Sequence, residues 1–161
     1  MIFKKPSFIV IHHSAVSYMQ NADQFEANNS YHRAKWNFIS SLGYHLGYNY
    51  EIAPSGRLRQ ARADGEQTAA VTESWATHGV FPRYTGWMND GRCIHICLDG
   101  NFDVEKPMPE QVYALRDLMK QKCTQYGIPA KNIYFHRNFA PKTCPGRNLE
   151  LGWIRNLLNA K

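Results

Sequence analysis

The most compact apolar run in the chain, Phe8-Ile9-Val10-Ile11, is rich in β-branched residues and stops at two histidines, His12 and His13. Such a run predicts a short central strand buried on both faces. Cys93 to Leu98 is a second run of this kind and predicts another central strand. Between them, Tyr48 to Ala53 alternates with period two, Pro54-Ser55-Gly56 supplies a turn, and Leu58 to Arg62 returns beside it as a hairpin. Alternation sets Tyr48, Tyr50 and Ile52 on one face and Asn49 and Glu51 on the other, so Glu51 reads as a structural or surface carboxylate turned away from whatever Tyr48 faces. Helical spacing appears in three places. Asn21 has the look of an N-cap, with Gln24 at the reciprocating position, ahead of Phe25, Asn29, His32 and Trp36. Pro109-Glu110 opens a helix with Val112, Leu115, Met119 and Tyr126 along one stripe, closed by Gly127. After a strand over Asn132 to Phe135, Asn148 caps a last helix with Trp153, Ile154, Leu157 and Leu158 facing inward. The interleaving predicts an α/β domain: a single mixed central β-sheet of about five or six strands flanked by helices.

With 161 residues, 43% hydrophobic and 20% charged, the chain has the balance of one globular domain, and no repeat, low-complexity tract or linker interrupts it. No stretch approaches the ~20 apolar residues that span a bilayer. Lys4 and Lys5 before the first run imitate a signal peptide only faintly, because the apolar part is four residues long. A net charge of +6 and a pI near 9.2 imply an acidic partner: nucleic acid, anionic lipid or bacterial cell wall. Without a helix-turn-helix, an RNA-binding sheet signature or a Lys/Arg run, nucleic acid is the lesser reading. Four cysteines without a leader fit free thiols. Residues 64–92 follow no period and carry Trp75, Phe81, Tyr84 and Trp87 among glycines and a proline. A loop of that length is usually functional, and it reads as a groove wall with aromatics available to stack on sugar or peptide.

The chemistry centres on His136 to Gly146, a segment whose two prolines and glycine exclude a continuous helix. Folded back as a loop, it can aim His136 and Cys144 at one ion, at roughly 2.0–2.1 Å for nitrogen and about 2.3 Å for sulfur. His12, at the end of the first strand, is a candidate third ligand; neighbouring strand residues face opposite ways, so His12 and His13 do not both share the ion, and the pleat alone does not choose between them. Three protein ligands without a fourth are the arrangement of a catalytic zinc, which keeps one position for water. Cys93 and Cys97 lie about 13 Å apart along a strand at ~3.3 Å per residue, so they read as buried small hydrophobes. His32 reads as a hydrogen-bonded core or rim histidine.

These stretches resemble the zinc-dependent N-acetylmuramoyl-L-alanine amidases, which include small phage endolysins of the T-odd kind and the peptidoglycan recognition proteins. The likeness rests on Ile9-Val10-Ile11-His12-His13-Ser14-Ala15, on Gly47-Tyr48-Asn49-Tyr50-Glu51-Ile52 through Ser55-Gly56, on Cys97-Leu98-Asp99-Gly100-Asn101-Phe102, and on His136 to Gly146, in the family's order. It implies the phage-amidase and recognition-protein fold, a Zn2+ held by His12, His136 and Cys144, and Tyr48 and Lys142 as the groups that stabilise the oxyanion. It also implies a bacterial peptidoglycan substrate, cut between N-acetylmuramic acid and L-alanine. His78 falls where the family has a histidine-containing segment, and His95 stands where it has glycine. The expectation is one catalytic domain over 1–161, with no separate wall-binding module, acting as a monomer without a membrane. Lacking a signal peptide, it would be made in the host cytoplasm and reach the wall after release, or stay in the cytoplasm as a wall-recycling enzyme. Two other readings are a recognition protein that binds peptidoglycan without cutting it, although such members tend to lack the cysteine, and a basic protein that binds nucleic acid or a polymerase.

Overall fold

The computed structural model describes residues 3–71 and 88–160. His78 and the loop aromatics Trp75, Phe81, Tyr84 and Trp87 lie outside the described residues. Among the described residues five strands form one sheet: β1 (Phe8–His13), β2 (Tyr50–Ile52), β3 (Leu58–Gln60), β4 (Cys93–Leu98) and β5 (Ile133–Phe135). Their spatial order is β3-β2-β4-β1-β5. The two continuous apolar runs occupy interior positions, with β1 between β4 and β5 and β4 between β1 and β2, all in parallel. Only β3 runs antiparallel, at the edge, where the Pro54-Ser55-Gly56 turn returns it against β2.

Among the described residues three α-helices of six residues or more cover the sheet: α1 (Phe25–Trp36), α2 (Pro109–Tyr126) and α3 (Leu151–Asn156). Beneath α2 and α3, Ile9, Ile11, Ile94, Ile96 and Leu98 pack with Leu115, Leu118, Met119 and Ile154 into the main core. On the other face Val10 and Cys93 meet Val71, Met88, Phe139 and Ala140. Parallel neighbours at one register level point the same way, so the β-strand period of two assigns the residues of each strand alternately to these two faces.

The helix starts differ from the expectation. Asn21 does not cap α1; its Oδ1 accepts the N–H of Asp23 at 3.2 Å, a local turn, and the helix begins four residues later, after Gln24. Asn short-circuits its own backbone in this way wherever a turn competes with a cap. Likewise α3 starts after Glu150, and the Asn148 side chain donates instead to the Glu105 carbonyl at 3.0 Å. Trp153 is 42% exposed and not inward-facing. Successive helical residues are ~100° apart, and the neighbouring Ile154 takes the inward position. Val112 lies at the edge of the α2 stripe beside a surface groove, with Leu115, Leu118 and Met119 inside.

Candidate active site

The parallel strands β1, β2, β4 and β5 end on the same side of the molecule, the side where open parallel sheets carry their sites. His12 is the next-to-last residue of β1 and shares a face with Val10, while Ile9 and Ile11 enter the main core. His136 follows the last residue of β5 and begins a single 3-10 turn, His136–Asn138, tied back by the Asn138 side chain, which accepts the Phe135 N–H at 2.7 Å. Cys144 returns to the same place because the Arg137 N–H donates to the Cys144 carbonyl at 2.8 Å. The Arg137 guanidinium then holds the rest of the loop through the Gly146 and Leu149 carbonyls, at 2.7 and 2.6 Å. From the other side Asp103 accepts the Thr143 hydroxyl and the Arg147 N–H, at 2.7 and 2.9 Å. Gly146, at φ +115°, rests on the Phe102 backbone, where a Cβ would come within 2.5 Å of the carbonyl carbon.

The result is a buried cluster of three ligand-bearing side chains, His12, His136 and Cys144, whose donor atoms lie within 4.8 Å of one another. His12 Nδ1 stands 3.2 Å from His136 Nδ1 and 3.9 Å from Cys144 Sγ. In a tetrahedral zinc site two nitrogens are separated by about 3.3 Å, and a nitrogen and a thiolate by about 3.6 Å, so the donor set fits zinc with modest closure. Burial, then the neighbouring His136, His95 and His13 rings, hold the His12 pKa well below its ordinary value, so the ring is neutral and able to offer a lone pair.

His13 points away. Its Nδ1 accepts the Phe102 N–H at 3.1 Å, and burial, opposed by Asp103, lowers its pKa to about 4. It still serves the cluster through its main chain, whose N–H donates to Cys144 Sγ at 3.4 Å. Such a donor favours the thiolate.

Tyr48 and Lys142 both line a groove of about 500 Å³ that runs from His136 along α1 to Tyr31, Lys35 and Trp36. They also line a shallower pocket of about 400 Å³ with Asp103, Thr143 and Cys144. Among the described lining residues of the larger groove none is acidic, and two are lysines. The Tyr48 ring lies 4.8 Å from that of His12, and its side chain hydrogen-bonds Cys97. His32 closes the groove wall as a satisfied histidine, accepting the Gly47 N–H at 2.8 Å.

Here the alternation argument for β2 fails. Tyr48 precedes the strand, which begins at Tyr50, and its ring reaches the His12 face although Tyr50 and Ile52 point into the main core. Glu51 is aligned with Cys97, and Cys97 with His12, so Glu51 is on the His12 face too. It is no surface group, being 1% exposed beneath α1, where it accepts the Asn28 amide at 3.0 Å. Burial, followed by a hydrogen bond to Asp99, raises its pKa well above the ordinary carboxylate range. Glu51 Oε2 and Asp99 Oδ1 are buried without a donor among the described residues, and burial raises the pKa of both carboxyls, which favours a proton held by the pair.

The sequence marks His95 only as a departure from a pattern, and Arg137 not at all. His95 is fully buried on the His12 face, its Nδ1 2.8 Å from His12 Nε2 and its Nε2 2.7 Å from the Met88 carbonyl. Burial pushes its pKa down to about 4. Cys93 and Cys97 are buried free thiols on either side of it.

A sheet of this order, with a histidine-histidine-cysteine cluster at the strand ends beside an elongated groove, defines the amidase and peptidoglycan-recognition class. The chain belongs to the N-acetylmuramoyl-L-alanine amidase family, whose model matches residues 3–147. Among its relatives is peptidoglycan-recognition protein SC1a of Drosophila melanogaster, 24% identical over 149 residues, covering 89% of this chain and 69% of the relative. Solved structures with the same fold include the endolysin amidase LysCS from Clostridium intestinale, with a TM-score of 0.71 and 22% identity over 98% of this chain and 86% of that one. The Ph2119 endolysin of a Thermus scotoductus bacteriophage aligns at a TM-score of 0.70 with 20% identity, covering 98% of this chain and 87% of its own. No helix among the described residues is long and apolar enough to cross a membrane.

Proposed function

We propose that the protein is a zinc-dependent peptidoglycan hydrolase of the phage-endolysin kind, cleaving the amide between N-acetylmuramic acid and L-alanine. The observation that carries this reading is the convergence of His12, His136 and Cys144 at the floor of a groove whose rim presents Tyr48 and Lys142. His12 and His136 would hold the ion through Nδ1 and Cys144 through its thiolate. Zinc in such a site supplies an acidified water and Lewis-acid polarisation of the scissile carbonyl.

This chain's own groups do the rest. The Tyr48 hydroxyl and the Lys142 ammonium donate to the oxygen on which negative charge develops, an oxyanion-hole role that needs donors fixed before the reaction. The His13 N–H favours the thiolate form of Cys144, and burial keeps His12 neutral. Lys35 and Lys142 make the groove cationic, suited to the carboxylates of a stem peptide. One solved relative, a point mutant of Drosophila PGRP-LB, is in complex with tracheal cytotoxin, which supports a wall fragment as the ligand class.

The test is mass spectrometry of purified peptidoglycan after digestion. Free stem peptides with an L-alanine amino terminus are expected, abolished by a chelator and restored by zinc. New sugar reducing ends without free peptides would contradict the amide assignment, and binding without any cleavage would leave a recognition protein.

A further inference from the structure

A hydrogen-bond chain that begins at a main-chain carbonyl ends at His12 Nε2, the ring nitrogen turned away from the other two ligands, and His95 is its middle link. The Met88 carbonyl can only accept, so His95 Nε2, 2.7 Å away, carries a proton. Both nitrogens of this wholly buried ring are taken by uncharged groups, and a neutral imidazole has a single N–H. That leaves His95 Nδ1 bare, and at 2.8 Å it accepts from His12 Nε2. His12 is thereby protonated at Nε2, and its lone pair sits on Nδ1. Nδ1 is the atom facing His136 Nδ1 at 3.2 Å and Cys144 Sγ at 3.9 Å. In the opposite tautomer a proton on Nδ1 would point into the cluster and block ligation there.

The link is itself held rigidly. The His95 N–H donates to Asn49 Oδ1 at 2.8 Å, and the Asn49 N–H donates to the His95 carbonyl at 3.0 Å. At the same level of the sheet His95 lies beside Val10, two residues before His12 on β1.

We propose that His95 is a positioning residue for the metal: it fixes His12 as the Nε2–H tautomer and aims Nδ1 at the ion. The assignment rests on the zinc reading of the cluster. Its role follows from the way an outer hydrogen bond sets the tautomer and orientation of a ligand histidine, which typically carries about 10–100-fold in metal affinity.

Two measurements test it. Long-range 1H–15N correlation spectra of the zinc-free chain should show His12 protonated at Nε2 and bare at Nδ1; an Nδ1–H tautomer would overturn the proposal without any variant being made. Zinc affinity, read by competition with a chromophoric chelator, should fall about 10–100-fold in His95→Leu. His95→Asn, whose Oδ1 falls near the lost Nδ1, should recover affinity to within a few fold of the parent. Equal affinity in His95→Leu and the parent would remove the role of His95 alone. A parent chain that does not bind zinc would instead remove the zinc reading of the site.

Discussion

On the face covered by α2 and α3, strands β1, β2 and β4 present Ile9, Ile11, Ile52, Ile94, Ile96 and Leu98; on the opposite face the same strands present His12, Glu51, His95 and Cys97, equally buried. Alternation separates the two sets completely, so one strand sequence writes both a dry core and a polar interior. The apolar face is redundant, because many residues share one job and each adds buried area. The polar face is not. Every group on it needs a partner, since an unpaired buried donor or acceptor costs about 1–3 kcal/mol. His12 finds His95, His95 finds Met88, and Glu51 finds Asn28 and Asp99.

The contrast predicts where stability and chemistry part company. On the apolar face Ile96→Ala should cost about 2–5 kcal/mol of unfolding free energy, through lost transfer energy and a residual cavity, in chemical denaturation. Zinc stoichiometry per folded chain should not change. A loss of zinc that tracked this cavity would mean that the two faces are mechanically one unit.

On the polar side the groove groups should behave in the opposite way. Tyr48→Phe and Lys142→Ala should leave zinc content and the unfolding midpoint nearly unchanged and lower turnover about 10²–10³-fold, roughly 2.7–4 kcal/mol of transition-state stabilisation. Steady-state kinetics on a soluble muropeptide would read it. A rise in KM with turnover intact would describe binding residues instead.

The smallest of these effects concerns the Glu51–Asp99 pair. Glu51 keeps its proton to higher pH in the fold than in the unfolded chain, so its contribution is full at acidic pH and is lost as pH rises out of the ordinary carboxylate range. Glu51→Gln stays neutral at every pH. It should match the parent in acid and gain about 1–3 kcal/mol at neutral pH, the usual scale for an unsatisfied buried polar group, with turnover preserved. Greater stability of the parent at neutral pH would mean that the carboxylate is ionised and paired in the fold.

How much of this is legible in the sequence follows from the same division. The apolar runs identify β1 and β4 as central strands, and the His136–Gly146 loop together with the end of β1 marks the three candidate ligands, because these signals are local. Period two fails at Tyr48, since a residue just outside a strand is not bound by the pleat. Glu51 reads as a structural or surface carboxylate turned away from Tyr48, because nothing in the sequence reveals that Asp99 will face it. Arg62 shows the same limit: a fully buried guanidinium, held by the Leu46 and Gln67 carbonyls at 2.6 and 3.3 Å, is made possible by loops distant in sequence. His95 carries a signal, a histidine inside an otherwise apolar strand, but its meaning depends on a carbonyl seven positions upstream that bends back to meet it.

The claim on which all else depends is that the polar face ends in a zinc site formed by His12, His136 and Cys144. Elemental analysis of protein purified without chelator tests it most directly. The account predicts one zinc per chain, most of it lost in Cys144→Ser because an alcohol is a far poorer ligand than a thiolate, and full retention in His13→Ala. A parent without zinc, or a His13→Ala variant that empties while His12→Ala stays loaded, would contradict it.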